Sequence, residues 1–174
     1  MNINYLVKSV IIGAEKTGKS YILHKLTNSA NKSAYEPTIG VEFFSKATQF
    51  QYQHKQINTV VQIWDTAGDP RFQTIVEAYY KNSSVTFIVF DVNNAESFAK
   101  CKFYIQNIYQ NCDQTFKQIM LVGTQLSDER KVSADEAFLF AMYHDIFYTE
   151  VKQDTDVELV LQKMIKSYIY IKLQ

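Results

Sequence analysis

The sequence predicts an α/β fold, a mostly parallel sheet with helices on both faces. Three observations carry this. Apolar extended runs alternate along the chain with segments of helical character, the pattern of strands joined by crossover helices. One of those crossings contains the string GAEKTGKS, Gly13 to Ser20, set between a strand-like run and a helical one. The 174 residues are 47% hydrophobic and 14% aromatic with only 5 Gly and 2 Pro, which fits one core in a single domain over 1–174, without linker, repeat or low-complexity tract.

The elements follow in order. Tyr5 to Ile12 is the first strand; Lys8 interrupts its apolar run and no small-residue cleavage site follows, so it reads as a strand and not as a signal peptide. A helix from Lys19 to Asn28 leaves the glycine-bounded loop. Strands Val41 to Tyr52 and Gln56 to Asp65 form a hairpin turning near His54 and Lys55, one antiparallel edge pairing in an otherwise parallel sheet. Part of Arg71 to Lys81 is helical, and the next strand is Val85 to Val92. Glu96 to Asn111 is a helix, Phe116 to Gly123 a strand, Ser133 to His144 a helix, Ile146 to Glu150 the last strand and Asp156 to Ile171 the last helix. No apolar run reaches bilayer length.

Composition bounds the partners. Lys plus Arg equals Asp plus Glu at 18 each, so no net field draws the chain to nucleic acid or to an anionic membrane, and partners must be recognised by shape. Cys101 and Cys112 match neither a metal-ligand spacing nor a disulfide framework and read as reduced thiols of a cytoplasmic protein. His24, His54 and His144 are scattered and read as surface or satisfied core residues.

The loop from Gly13 to Ser20 has the form GxxxxGKS in the strand-to-helix context that phosphate binding requires. Its backbone N–H groups can curl into an anion nest at the positive end of the helix, Lys19 can reach outer phosphates, and the Ser20 hydroxyl can ligate Mg²⁺. On this motif alone, ATPases, small-molecule kinases and GTPases stay open.

The segments IGVEF, QIWDTAG, AYYKNSS and FDVNNAESF narrow that choice. In order and spacing they resemble the small GTPases of the Ras superfamily, and within it the Rab branch, over nearly the whole chain. The resemblance implies the small G-domain, a P-loop NTPase fold with a six-stranded, mostly parallel sheet and five helices, binding GTP or GDP with Mg²⁺. By position it implies nucleotide contacts from Gly13, Glu15, Lys16, Thr17, Gly18, Lys19, Ser20 and Tyr21 in the first loop and helix. Further contacts would come from Tyr35 folding over the phosphates, Thr38, the Gly68 N–H, Thr124, Gln125, Ser127, Val151 and Lys152. The metal would be held by Ser20 and Thr38, and by Asp65 through a water. Phe43, Trp64 and Tyr79 match the aromatic triad on which Rab effectors pack, implying a protein effector or assembly subunit as partner.

The departures from the family pattern carry as much information. The water-orienting glutamine is replaced by Asp69, the degenerate catalytic position, followed by Pro70. A carboxylate there is shorter, and its charge is expected to repel the γ-phosphate. Glu15 and Lys16 replace small residues of the phosphate loop. NKxD becomes TQLS, Thr124 to Ser127, with Thr-Gln resembling Rho proteins but Ser127 lacking the carboxylate that takes two hydrogen bonds from guanine; Asp128 lies one residue on. SAK becomes EVK, Glu150 to Lys152, and Asn31 stands where an aromatic stacks on the base. The ending SYIYIKLQ carries no cysteine for a direct lipid anchor.

An intact phosphate half beside altered catalytic and base positions predicts a divergent Rab-like GTP- or GDP-binding protein. It would act as a binding switch or as a structural subunit of an assembly, intraflagellar transport and other ciliary complexes included, with slow or absent hydrolysis. Its location would be cytoplasmic, with the cytoskeleton or cilium as the narrower expectation. Two alternatives stay open: an active Rab-type GTPase of vesicle trafficking assisted by an activating protein, and a P-loop enzyme using ATP.

Overall fold

The computed structural model describes residues 3–27, 38–80, 83–111 and 117–173. Tyr35, Asn31 and Cys112 therefore lie outside the described residues. The chain runs β1 (Ile3–Gly13), α1 (Lys19–Thr27), β2 (Val41–Tyr52), β3 (Lys55–Thr66), a 3-10 turn (Pro70–Phe72), α2 (Gln73–Tyr80), β4 (Val85–Asp91), α3 (Ala95–Ala99), α4 (Cys101–Asn111), β5 (Gln118–Thr124), α5 (Ala134–Tyr143), β6 (Phe147–Val151) and α6 (Val157–Lys172). The six strands make one sheet in the order β2-β3-β1-β4-β5-β6, with β2 alone antiparallel.

Period-2 alternation on the central strands supplies both cores. Val7 and Ile11, Val85, Phe87 and Val89, and Met120 and Val122 face a core closed by α1 and α6. Val10 and Ile12, Ile88 and Phe90, and Ile119 and Leu121 face the other, closed chiefly by α4 and α5. On α6 the buried positions Val157, Leu161, Met164, Ile165 and Tyr168 recur at helical spacing, and Asp156 caps the helix by accepting from the Leu159 N–H at 3.1 Å. Ser133 caps α5 the same way, accepting from the Glu136 N–H at 3.1 Å.

Two expectations from the sequence are corrected. The helix expected over Glu96 to Asn111 begins at Ala95 and is divided at Lys100 into α3 and α4. Lys100 stays in right-handed helical geometry, its N–H reaching Glu96 O and its carbonyl accepting from the Tyr104 N–H, so the division is a single turn residue within a continuing ladder. The hairpin turns on Gln53 and His54, not on His54 and Lys55, because Lys55 already pairs with Tyr52.

Gln53 and His54 adopt φ of 44° and 64°, the pair of left-handed residues that a two-residue turn needs to match strand twist. Side chains are strained there. We expect Gln53→Asn with His54→Gly to stabilise the protein by about 1 kcal/mol, seen as a higher urea midpoint at unchanged slope.

Candidate nucleotide site

The site is built where β1 stops. In register, Gly13 sits opposite Val89 of β4 with φ 149°, and a Cβ on it would lie 2.1 Å from the Val89 carbonyl oxygen. Only glycine lets the chain leave the sheet here. Left-handed backbone at Lys16 (φ 59°) and Gly18 (φ 83°) then curls the loop into α1. The curl is pinned from inside: Thr17 Oγ1 donates to Ala14 O at 3.0 Å and Lys19 Nζ to the same oxygen at 2.7 Å. It is pinned from outside by Thr124, whose hydroxyl donates to Thr17 O at 2.7 Å. Lys19 is buried in this cradle, and burial pushes its ammonium down to about 8, with Asp65 and Glu15 pulling the other way. Glu15 and Lys16 stand exposed on the crest of the loop.

Three oxygens from three segments meet beside Lys19. Ser20 Oγ donates to Asp65 Oδ2 at 2.6 Å and lies 2.9 Å from Thr38 Oγ1, which reaches the same carboxylate oxygen at 3.5 Å. Asp65 is placed by its register with Ile11 of β1, and neighbouring Thr66 fastens that strand end by donating to Ile11 O at 2.8 Å. The Asp65 carboxyl is raised by burial, opposed by the Ser20 hydrogen bond and by Lys19. Its second oxygen, Oδ1, is buried and without a partner.

A fully buried carboxylate with one oxygen unmet, beside two hydroxyls, is an all-oxygen donor set suited to a hard cation that keeps several waters and takes phosphate oxygens. Among the described residues no group of three His, Cys, Asp or Glu side chains is placed to hold a metal unaided. Mg²⁺ fits this site as a partner of a bound phosphate. Ser20 and Thr38 would hold it, with Asp65 beside them through water, and when bound it would neutralise phosphate charge.

Gly68 closes the phosphate end. A Cβ on it would stand 2.5 Å from Lys19 Nζ, 2.6 Å from Glu15 N and 2.7 Å from Ala14 C, so this backbone lies directly against the loop. Asp69 follows, and its carboxylate is engaged. Oδ1 accepts from the Arg71 N–H at 2.8 Å, and Oδ2 from Arg71 Nε at 2.7 Å and Nη2 at 2.5 Å, which caps the 3-10 turn. Those hydrogen bonds hold the Asp69 carboxyl below the usual carboxylate range. The sequence alone leaves Asp69 as a bare charge; here a guanidinium partners it.

The residues expected on the base side come from two loops at the ends of β5 and β6. Thr124 is fully buried and is paired with Val151 in register, while the Gln125 N–H donates to Val151 O at 3.1 Å. Ser127, Asp128 and Lys152 are exposed. Tyr21 lies on α1, its ring 5.3 Å from Lys25 Nζ.

Three polar staples that the sequence reading did not single out hold these loops. Asn93 accepts on Oδ1 from the N–H groups of Leu126 (3.1 Å) and Ser127 (3.0 Å) and donates from Nδ2 to Ser127 O (3.1 Å) and Glu129 O (2.6 Å). Arg130 forks onto Glu150 at 3.0 and 2.7 Å, and Tyr148 donates to the same carboxylate at 2.5 Å, so the Glu150 of EVK is turned to Arg130. Lys25 donates to the carbonyls of Lys152, Gln153 and Thr155.

The aromatic triad is assembled as a strip. Phe43 and Trp64 are cross-strand partners with ring centroids 5.3 Å apart, and Trp64 lies 6.2 Å from Tyr79. Trp64 and Tyr79 rest on the second core, whereas Phe43 is 57% exposed. Two rings thus rest on the core and support the third, which is exposed.

A glycine-bounded loop closed on a buried lysine, in a six-stranded sheet ordered β2-β3-β1-β4-β5-β6, defines the P-loop NTPase fold of small G-domain topology. The chain belongs to the Ras family, whose model matches residues 8–170. It is similar to the Ras-related protein Rab-39A of Mus musculus, 34% identical over 162 residues, covering 88% of this chain and 73% of that protein. It is similar too to Rab-11A of Dictyostelium discoideum, 33% identical over 172 residues (97% and 78%), and to RABA5b of Arabidopsis thaliana, 32% identical over 166 residues (93% and 74%). It is a Rab-like small GTPase by family, and proteins of this family bind guanine nucleotides, generally with Mg²⁺. Among the described residues no helix is long and apolar enough to cross a membrane.

Proposed function

We propose that this protein is a divergent Rab-like switch or assembly subunit that binds a Mg²⁺ nucleotide and works through binding, with very slow hydrolysis. One observation carries the reading. The residues expected to hold phosphate and cation, Lys19, Ser20, Thr38, Asp65 and Gly68, lie together, while the next residue, Asp69, has both carboxylate oxygens engaged by Arg71. A carboxylate so engaged lacks the amide N–H with which glutamine reaches the phosphate as it orients water, and that orientation is central to catalysis in this reaction class. Partners, effector or assembly subunits, would dock on Phe43, Trp64 and Tyr79 and the segments around them. The working location proposed is cytoplasmic, with a ciliary or cytoskeletal assembly as the narrower form.

Single-turnover hydrolysis at saturating nucleotide tests the reading. Wild type should fall below the family's intrinsic range of ~10⁻⁴ to 10⁻² s⁻¹, and Asp69→Gln should raise the rate. A wild-type rate inside that range with no gain from Asp69→Gln would favour the second reading, an active Rab-type GTPase of vesicle trafficking assisted by an activating protein. That reading draws its support from the Rab relatives.

A further inference from the structure

The loop expected on the base side is held by groups that are not themselves expected to touch nucleotide. The Asn93 carboxamide spends both donors and its acceptor oxygen on the backbone of Leu126, Ser127 and Glu129. On the far side the Arg130 N–H donates to Asp128 O at 3.1 Å, and the Arg130 guanidinium is forked onto Glu150. Asp128 is thereby bracketed, one residue beyond the position that the family pattern gives to the base-reading carboxylate. Moving it into the place of Ser127 needs a one-residue shift of the loop, which would break the Asn93 bonds together and pull Arg130 from its carboxylate. A network in which every group is satisfied resists such a shift as a unit.

The residue left at the reading position is a serine. A carboxylate accepts two N–H groups side by side, which guanine offers and adenine does not. A hydroxyl holds one donor and two lone pairs and can make one hydrogen bond with either base. Resting on the nucleotide-binding reading above, we propose that Asn93 fixes the Leu126–Glu129 loop with Ser127, not Asp128, at the base-reading position, so that the site takes Mg²⁺ complexes of purine nucleoside phosphates with little preference for guanine over adenine. Asn93 acts here as a positioning residue.

Isothermal titration of the full chain in excess Mg²⁺ with GDP, ADP and inorganic pyrophosphate tests this. Wild type should bind GDP and ADP within about tenfold of each other, where a site that pairs its hydrogen bonds rejects the wrong partner by ~10⁴-fold. Ser127→Asp should raise the preference for GDP by at least about a hundredfold. Asn93→Ala should weaken both nucleotides about tenfold and leave pyrophosphate unchanged, a split that general loosening of the fold does not give. A wild-type preference for GDP above about a thousandfold, no gain of preference in Ser127→Asp, or an equal loss for all three ligands in Asn93→Ala overturns the proposal. Failure of all three ligands to bind the wild type overturns the nucleotide-binding reading itself, and this inference with it.

Discussion

Lys19→Ala should lower the affinity for a Mg²⁺ nucleotide by at least about tenfold, or 1.4 kcal/mol. Lys19 is the cation that the phosphate loop encloses among the described residues, held on Ala14 O at 2.7 Å, and charge-assisted contacts to phosphate are the strong ones in such a site. The same residue sets a pH dependence. In the free protein, burial brings Lys19 to about 8, against 10.5 for an ordinary lysine. Between those values the unfolded chain binds the extra proton, so folding stability rises with pH across the window. Nucleotide affinity runs the opposite way. Bound phosphate keeps the ammonium charged, so above about pH 8 binding must take up a proton and weakens as pH rises. Titrations at pH 7, 8 and 9 check this, with proton uptake read in buffers of different ionisation enthalpy. A flat profile would mean that Lys19 is charged throughout or bears no phosphate.

Gly68→Ala is expected to separate triphosphate from diphosphate. The new methyl group would stand within 2.6 to 2.7 Å of backbone atoms of Glu15 and Ala14, which cannot yield as a flexible side chain can, so Gly68 must back away from the loop. If its N–H meets the terminal phosphate, a GTP analogue loses at least about tenfold in affinity while GDP is little changed, 1.4 kcal/mol for each tenfold. Equal weakening of both nucleotides would instead place the damage in the phosphate loop. Thermal stability of the free protein should fall less than nucleotide affinity does.

What the sequence revealed was local in kind. The strand, glycine-bounded loop, lysine and helix follow one another directly from Ile3 to Thr27, so the cradle could be read from spacing, and the alternating apolar positions pointed to the sheet. Short-range geometry hid smaller things: Lys100 continues a helical ladder yet divides α3 from α4, and the left-handed pair at Gln53 and His54 carries none of the Asn-Gly signature of such turns. The Asp69–Arg71 contact did have a signal, since an aspartate before proline is an ordinary cap for a helical turn. The staples had none. Asn93 lies 34 residues from Ser127, and Lys25 lies 127 from Lys152, so partners of common residue types meet only through the sheet order. The choice between Ser127 and Asp128 turned on that same Asn93, which is why TQLSD left it open.

The place of β1 in the sheet has a consequence in time. β1 is flanked by β3 and β4, and the loop that follows it is clamped by Thr124, 107 residues after Thr17. At a ribosomal rate of about 5–20 residues per second, the phosphate loop waits roughly 5–20 s before that clamp has even been made. Within that interval β3 and β4 become available to pair with β1, while the loop still lacks its far clamp. The phosphate loop is thus synthesised well before the residue that fixes it from outside.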